Sequence, residues 1–209
     1  FVHFVCYRRH GHNELDDPTL TQPVLYEQIR NHPSVVERYR QLGRARFLDE
    51  QLHSPDGDSP DLAGEIAAMP ISREKIEEVI RSLRAEQQRI RSLPADEQQR
   101  ARMALNESAR DAVYLASKRH LMRAVYSPAQ LREQMTWFWL NHFNVFAGKA
   151  QVRWLIADYD NRTIRPRALG RFRDLVLATL KSPAMLEYLD NAQSAVGRIN
   201  ENYARELME

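Results

Sequence analysis

The sequence predicts a mainly α protein: an irregular helical bundle preceded by a short N-terminal strand–loop fragment of the kind found in α/β proteins. Three observations predict it. After about residue 44, apolar side chains recur at intervals of three and four, the period of a helix packed on one face. The densest apolar and aromatic run, Met135–Phe146, lies inside that text and is expected to be the common core of the helices around it. The one strand-like run, Phe1–Tyr7, has no second run bounded by turn residues to pair with.

Composition narrows the class. A chain of 209 residues can hold one large domain or two small ones, and 43% hydrophobic with 28% charged residues is ordinary for a globular fold. A net charge of +2 is too small to argue for nucleic acid or an anionic membrane, so no nucleic-acid partner is expected. Lysine occurs only at positions 75, 118, 149 and 181, and arginine supplies the other 26 of 30 basic residues. That bias fits GC-rich codons before it fits a phosphate-binding surface. One cysteine, Cys6, excludes an internal disulfide. No stretch reaches the roughly 18 apolar residues of a membrane span, and Asn141, His142 and Asn144 interrupt the best one. The first residues lack a basic leader and the last ones read as mid-helix, so a fragment is expected.

Taken in order, Phe1–Tyr7 reads as a buried strand, and Arg8–Pro18 as the polar loop after it. That loop carries two arginines, His10 and His12 around a glycine, and then three carboxylates. Loops at the carboxyl ends of strands bind ligands in α/β folds. Two histidines fall short of the three or four ligands zinc needs, and a solvated charged loop is the alternative. An amphipathic helix is expected over 22–42, with Val24, Leu25, Ile29, Val35, Val36 and Tyr39 on its apolar side and Pro33 breaking it. The pattern changes near Leu42–Gly43. A short helix with Phe47, Leu48 and Leu52 follows, then a Pro/Gly/Asp/Ser loop to about Asp61.

Ser72 is expected to start a helix bearing Ile76, Val79, Ile80, Leu83 and Ile90. Pro94 starts a longer one bearing Leu105, Ala109, Ala112, Val113, Ala116, His120, Leu121 and Val125. The arginine- and glutamine-rich stretch 84–102 between them suggests a helical hairpin with solvated ends. Ser127-Pro128-Ala129-Gln130 reads as a capped start for the aromatic helix, and Ala147–Gly148 as its stop. A helix with Leu169, Phe172, Val176 and Leu180 inward comes next, then a Ser182–Pro183 cap for 184–189, a polar loop over 191–197, and a last helix from Asn200.

Two parts of the chain resemble known families. Val5-Cys-Tyr-Arg-Arg-His-Gly-His-Asn-Glu14, with Asp17-Pro18, Thr21-Gln-Pro23, Tyr26, Ile29 and His32-Pro33, resembles the thiamine-dependent first component of 2-oxoglutarate dehydrogenase over residues 1–41. The resemblance implies a loop over thiamine diphosphate, with His10 and His12 as cofactor-binding residues. His12 would lie beside the diphosphate and Asn13 would replace a serine of related enzymes; imidazole and guanidinium donors suit such a group. The Gly–Asp motif that binds magnesium is absent, as is the pyrimidine half-site. The resemblance therefore implies an origin without an activity, and no thiamine diphosphate or magnesium is expected in this chain.

The second resemblance covers residues 42–209. Leu131–Phe146, Ile164–Asp174, Pro183–Asp190 and Ile199–Glu209 are similar to the bacterial domain-of-unknown-function family numbered eighteen hundred. The family has no established activity. Its members continue into a further helical region, which implies a C-terminal truncation here. Many carry export signals, so this resemblance implies the cell envelope or export, whereas the N-terminal one implies the cytoplasm.

Candidate chemistry in the helical part is sparse. Glu133, Asn141, His142 and Asn144 are the polar set of the aromatic helix, and His142 shares a face with Phe138. His142 is read as a hydrogen-bonded core group, or, with Asn200, Glu201, Arg205 and Glu206, as a metal or acid–base site. Trp137, Trp139, Trp154, Phe138, Phe143, Phe146 and Tyr159 are core or a stacking platform. No catalytic residue and no metal site is assigned. Three readings follow: a helical domain of unknown function fused to a non-functional dehydrogenase fragment, a fragment of the decarboxylase itself, or a cell-envelope scaffold or interaction protein.

Overall fold

The structure, a computed structural model, describes residues 27, 31, 33–54 and 58–208. All regular elements among them are helical, with one isolated bridge between Ala195 and Arg198. The expected strand Phe1–Tyr7 and the loop bearing His10 and His12 lie outside the described residues. The chain divides into two compact units, Phe1–Glu50 and Gln51–Glu209.

In the first unit, α1 (Val35–Leu42) starts where Pro33 ends. Ser34 and Glu37 form the capping box, the Glu37 amide donating to Ser34 Oγ at 3.2 Å and the Ser34 amide donating to Glu37 Oε2 at 2.7 Å. Gly43 then closes the helix at φ +73°, a backbone conformation side chains resist, and donates its amide to the Tyr39 carbonyl at 2.9 Å. This turns the chain into α2 (Arg44–Leu52) and sets the Tyr39 ring edge-on to Phe47 at 6.0 Å.

The second unit begins with a correction. The residues read as loop to about Asp61 run into α3 (Pro60–Ala68), which buries Leu62 and Ile66 one turn apart. Only two large apolar residues and a central Gly64 mark it, so its periodicity is too thin to read. The helix expected from Ser72 resolves into two elements: α4 (Pro70–Arg73) and then α5 (Ile76–Ser92), which buries Leu83 and Ile90. Leu93–Pro94 turns into α6 (Ala95–Tyr126), and the Gln98 amide group donates to the Leu93 carbonyl at 2.8 Å to hold that turn. On α6 the buried residues are Ala109, Ala116, Arg119 and Arg123, which share one face.

The aromatic helix, α7, spans Gln130–His142, beginning later and ending sooner than expected. Ser127 closes α6; its hydroxyl accepts from the Ala129 amide at 3.3 Å, while Gln130 donates to the Ser127 carbonyl at 2.7 Å. More consequentially, α7 is not the core. Its buried residues are Glu133 and Thr136, and Phe138 is 50% exposed. Successive helical residues are about 100° apart, so Trp137, Phe138 and Trp139 cannot all face inward.

The core is formed by Val145, Val152, Leu155, Tyr159, Ile164, Leu175, Ala184 and Met185. Apart from Val145, in the segment after α7, these come from α8 (Val152–Asp158), a π-helical turn (Tyr159–Ile164), α9 (Phe172–Lys181) and α10 (Pro183–Tyr188). Tyr159 is fully buried and donates its hydroxyl to the Phe143 carbonyl at 2.6 Å. On α9 the buried stripe is Leu175 and Thr179, not Phe172, which is 57% exposed. The last helix, α11 (Asn202–Met208), follows the expected polar loop. No described helix is long and apolar enough to cross a membrane.

Candidate functional site

The most unusual local structure is the π-turn. In it the Arg165 amide donates to the Asp160 carbonyl, five residues back, one residue wider than an α-helical turn. The run Tyr159–Arg165 thereby buries a carboxylate, a threonine and a guanidinium together with Tyr159 and Ile164. Such insertions often mark functional sites.

Around it lies a buried set of charges. Arg165 grips Glu133 of α7 through Nε at 3.1 Å and 3.2 Å and through Nη2 at 2.7 Å. The same Nη2 donates to Asp58 Oδ1 at 3.2 Å. Asp58 Oδ2 accepts from Arg123 Nε at 2.9 Å, and Arg123 Nη1 reaches Asn161 at 2.6 Å. The result is a chain, Glu133–Arg165–Asp58–Arg123–Asn161, joining the loop before α3 to α6, α7 and the π-turn. Next to it, His120 Nδ1 is 3.5 Å from Asp160 Oδ1, an ion-pair distance longer than a good hydrogen bond. Arg119, 1% exposed, completes the set by donating to the Ala157 carbonyl and, at 3.4 Å, to Ser72 Oγ.

Burial acts on each charge and its neighbours answer it. For Asp160, burial pushes the carboxyl upward, but His120, Arg119 and Arg123 outweigh it and hold it below the usual carboxylate range. Burial pulls His120 down, and Asp160 more than restores it, leaving the imidazole above its ordinary value. Arg165 is likewise raised, since Glu133 and Asp58 overcome its desolvation. Arg119 is the exception: burial dominates and lowers it. Chemically, Asp160 faces Nδ1 of a partly exposed imidazole at ion-pair distance, a pair able to hold one proton.

The residues singled out in the sequence fare differently. Glu133 belongs to the network. Asn141 is exposed and donates to its own helix at Trp137, 2.8 Å away. His142 is exposed and lies among rings, parallel to Phe138 at 6.1 Å and edge-on to Phe143 at 4.8 Å. Asn200 donates to the Leu189 carbonyl at 2.7 Å, and Glu201, Arg205 and Glu206 are exposed. Among the described residues no group of three or more His, Cys, Asp and Glu could hold a metal. The described residues thus form no metal site around His142: Asn141, His142 and Asn200 have local contacts, while Glu201, Arg205 and Glu206 are exposed.

Asp58, Arg123, Asp160 and Arg165 were missed, and His120 was counted merely as a face residue. A signal existed on α6. Arg119 and Arg123 fall in the same phase as Ala109 and Ala116, so two arginines occupy a buried stripe.

The fold and site define a helical protein organised by a buried charge network. The chain belongs to the family described as protein of unknown function (DUF1800), whose profile matches residues 31–209. Residues 1–46 match the family described as dehydrogenase E1 component. Over 39 residues the chain is 64% identical to oxoglutarate dehydrogenase of Buchnera aphidicola subsp. Baizongia pistaciae, covering 19% of this chain and 4% of that protein. Over 57 residues it is 52% identical to the mitochondrial 2-oxoglutarate dehydrogenases of Caenorhabditis briggsae and Caenorhabditis elegans, covering 24% of this chain and 6% of each. No solved structure gives a significant match. Most of the chain is thus a helical domain of unknown function, with a small N-terminal piece similar to 2-oxoglutarate dehydrogenase. The two family matches overlap over residues 31–46, and the change of pattern near Leu42–Gly43 lies inside that overlap.

Proposed function

We propose that this chain is a helical scaffold or interaction domain of the cell envelope, carrying at residues 1–41 a dehydrogenase-derived piece that performs no thiamine chemistry. One observation carries the reading. The paired charges in the described part, Asp58, Glu133, Arg123 and Arg165, are spent on one another and clamp four separate segments together. Their geometry is that of a structural clasp. The dehydrogenase-like piece spans only 4% to 6% of the enzymes it matches, so the rest of their active site has no counterpart in the match. His10 and His12 are read as remnants, and neither thiamine diphosphate nor magnesium as a ligand. The net charge of +2 supports a protein partner over nucleic acid.

Calorimetric titration of the chain with thiamine diphosphate and magnesium tests this. No heat of binding is expected; micromolar binding would overturn the reading. Sequencing genomic DNA across codons 35–50 shows whether the join is carried by a cell.

A further inference from the structure

We propose that the rings gathered around Trp139, where the end of α7 meets the start of α9, form a docking surface for a peptide segment carrying an aromatic side chain among carboxylates. The proposal rests on the reading of this chain as an interaction domain and names the chemistry of its partner. Phe138 and His142 lie one helical turn apart, as do Trp139 and Phe143, so two neighbouring rows of rings run along α7. Trp139 is their centre, with ring distances of 4.8 Å to Phe138, 5.8 Å to His142 and 6.0 Å to Phe143. Phe172, the first residue of α9, joins them at 5.7 Å from Trp139 and 6.3 Å from Phe143. The chain leading to it is tied to the same place, since Trp139 Nε1 donates to the Ala168 carbonyl at 3.0 Å. These rings nonetheless stay in water: Phe138 is 50% and Phe172 57% exposed, and His142 is exposed beside them. A single exposed ring needs no explanation, but a contiguous cluster contributed by two elements marks a contact surface.

Charge decides what covers it. Arg171 and Arg173 flank Phe172 in the chain, and both are exposed. Neither has an ion pair or a side-chain hydrogen bond among the described residues. The one carboxylate of α7, Glu133, is buried and held by Arg165. The one carboxylate of α9, Asp174, follows Phe172 by two residues and so lies on roughly the opposite face of the helix. The surface thus joins apolar rings to two uncommitted guanidiniums, residue types that protein interfaces concentrate. Guanidinium forks grip carboxylates, and the rings offer faces and edges to another ring. A second copy of this chain is the poorer occupant, because a two-fold interface sets a patch against itself and brings arginine to arginine. A lipid surface is poorer too. Helices that lie in it carry their basic residues beside a long apolar stripe of their own, whereas these arginines and most of these rings belong to different elements.

The test uses the whole chain, isotope-labelled at tryptophan, and follows the Trp139 indole N–H by NMR, assigned through Trp139→Phe. The probe is a blocked heptapeptide with tryptophan at its centre and glutamate at every other position. A saturable shift is expected. The same peptide with lysine for glutamate, or with alanine for tryptophan, should bind at least about tenfold more weakly. Phe172→Ser, a change at an exposed site, should weaken the glutamate peptide by about the same factor. Arg171→Glu with Arg173→Glu, also exposed, should reverse the preference so that the lysine peptide binds more tightly. No saturable shift, equal affinity for the two charge forms, or an unchanged preference in the charge-reversed chain would overturn the proposal. So would a Trp139 signal that moves on dilution without peptide, which assigns the patch to a second copy. Sedimentation with phosphatidylserine–phosphatidylcholine vesicles that Phe172→Ser abolishes would assign it to lipid and overturn the proposal equally. Binding of thiamine diphosphate would sink the reading of the N-terminal piece without moving any of these signals, so the two fail separately.

Discussion

At the scale of single residues, the protein departs from the habit of keeping charge outside. Arg119, Arg123, Glu133, Asp160 and Arg165 are all buried. Desolvating such groups is compensated only by close, multiply bonded partners. The contact of Arg165 with Glu133 meets that condition, with three donor–acceptor distances between 2.7 Å and 3.2 Å. Removing one partner leaves the other stranded, so Glu133→Ala should destabilise the fold by about 3–5 kcal/mol. Replacing both with apolar residues, as in Glu133→Leu with Arg165→Met, should recover part of that loss. Urea unfolding of the singles and the double measures it; a double variant that loses the full sum of the singles would contradict the pairing.

His120 and Asp160 make stability depend on pH in opposite senses. The folded value of His120 is raised, so its contribution is complete below the unfolded value of about 6.5 and is lost as pH rises through the folded value. The folded value of Asp160 is lowered, so its contribution is complete above the unfolded value of about 3.9 and is lost as pH falls through the folded value. The pair therefore stabilises most between those limits. Against His120→Gln, the native chain should hold its largest advantage near pH 5 to 6 and lose it as the pH rises above the unfolded value and through the raised folded one. A difference that stays constant over that range in urea melts would rule out the linkage.

Among elements, the contrast is between helices announced by sequence and one that is not. The turn at Pro94 and the break at Pro33 are local chemistry legible in the sequence, while the capping box at Ser34 and Glu37, equally local, was not picked out there. Helix α3 does begin with a Ser59–Pro60 pair, but Ser59 makes no side-chain cap and Gly64 sits mid-helix, so the signal is weak. It exists because Leu62 and Ile66 are buried against the rest of the unit. Leu62→Ala should then cost about 2–5 kcal/mol, the usual range for a buried leucine. Thermal or urea unfolding checks it; a change below about 0.5 kcal/mol, typical of an exposed site, would return residues 60–68 to loop. The aromatic helix failed in the opposite way. Its density of rings suggested a core, yet their adjacency forced part of them outward.

Over the whole molecule, two sequence patterns meet in one chain. The helical family accounts for residues 31–209, and the dehydrogenase-like piece for the beginning. A ligand that binds only the folded chain raises its stability in proportion to the logarithm of concentration over Kd. Thiamine diphosphate with magnesium should leave the unfolding midpoint unchanged, the counterpart of the silent titration expected above, and an upward shift that grows with concentration would show that the N-terminal piece retains its cofactor.

From sequence alone came the helical class, most helix positions after residue 70, the two family patterns and Glu133 as one member of the aromatic helix's polar set, although Asn141 and His142 were the ones singled out for testing. These rest on periodicity, caps and proline, all of which act within a few residues. The site itself was decided by tertiary structure. Asp58, Arg123 and the turn bearing Asp160 and Arg165 are far apart along the chain, and apart from the phase of Arg123 on α6 nothing local distinguishes them from surface charges. Only the packing of α6 and α7 around a π-turn removes them from water, and a buried charge must then find its partner in space.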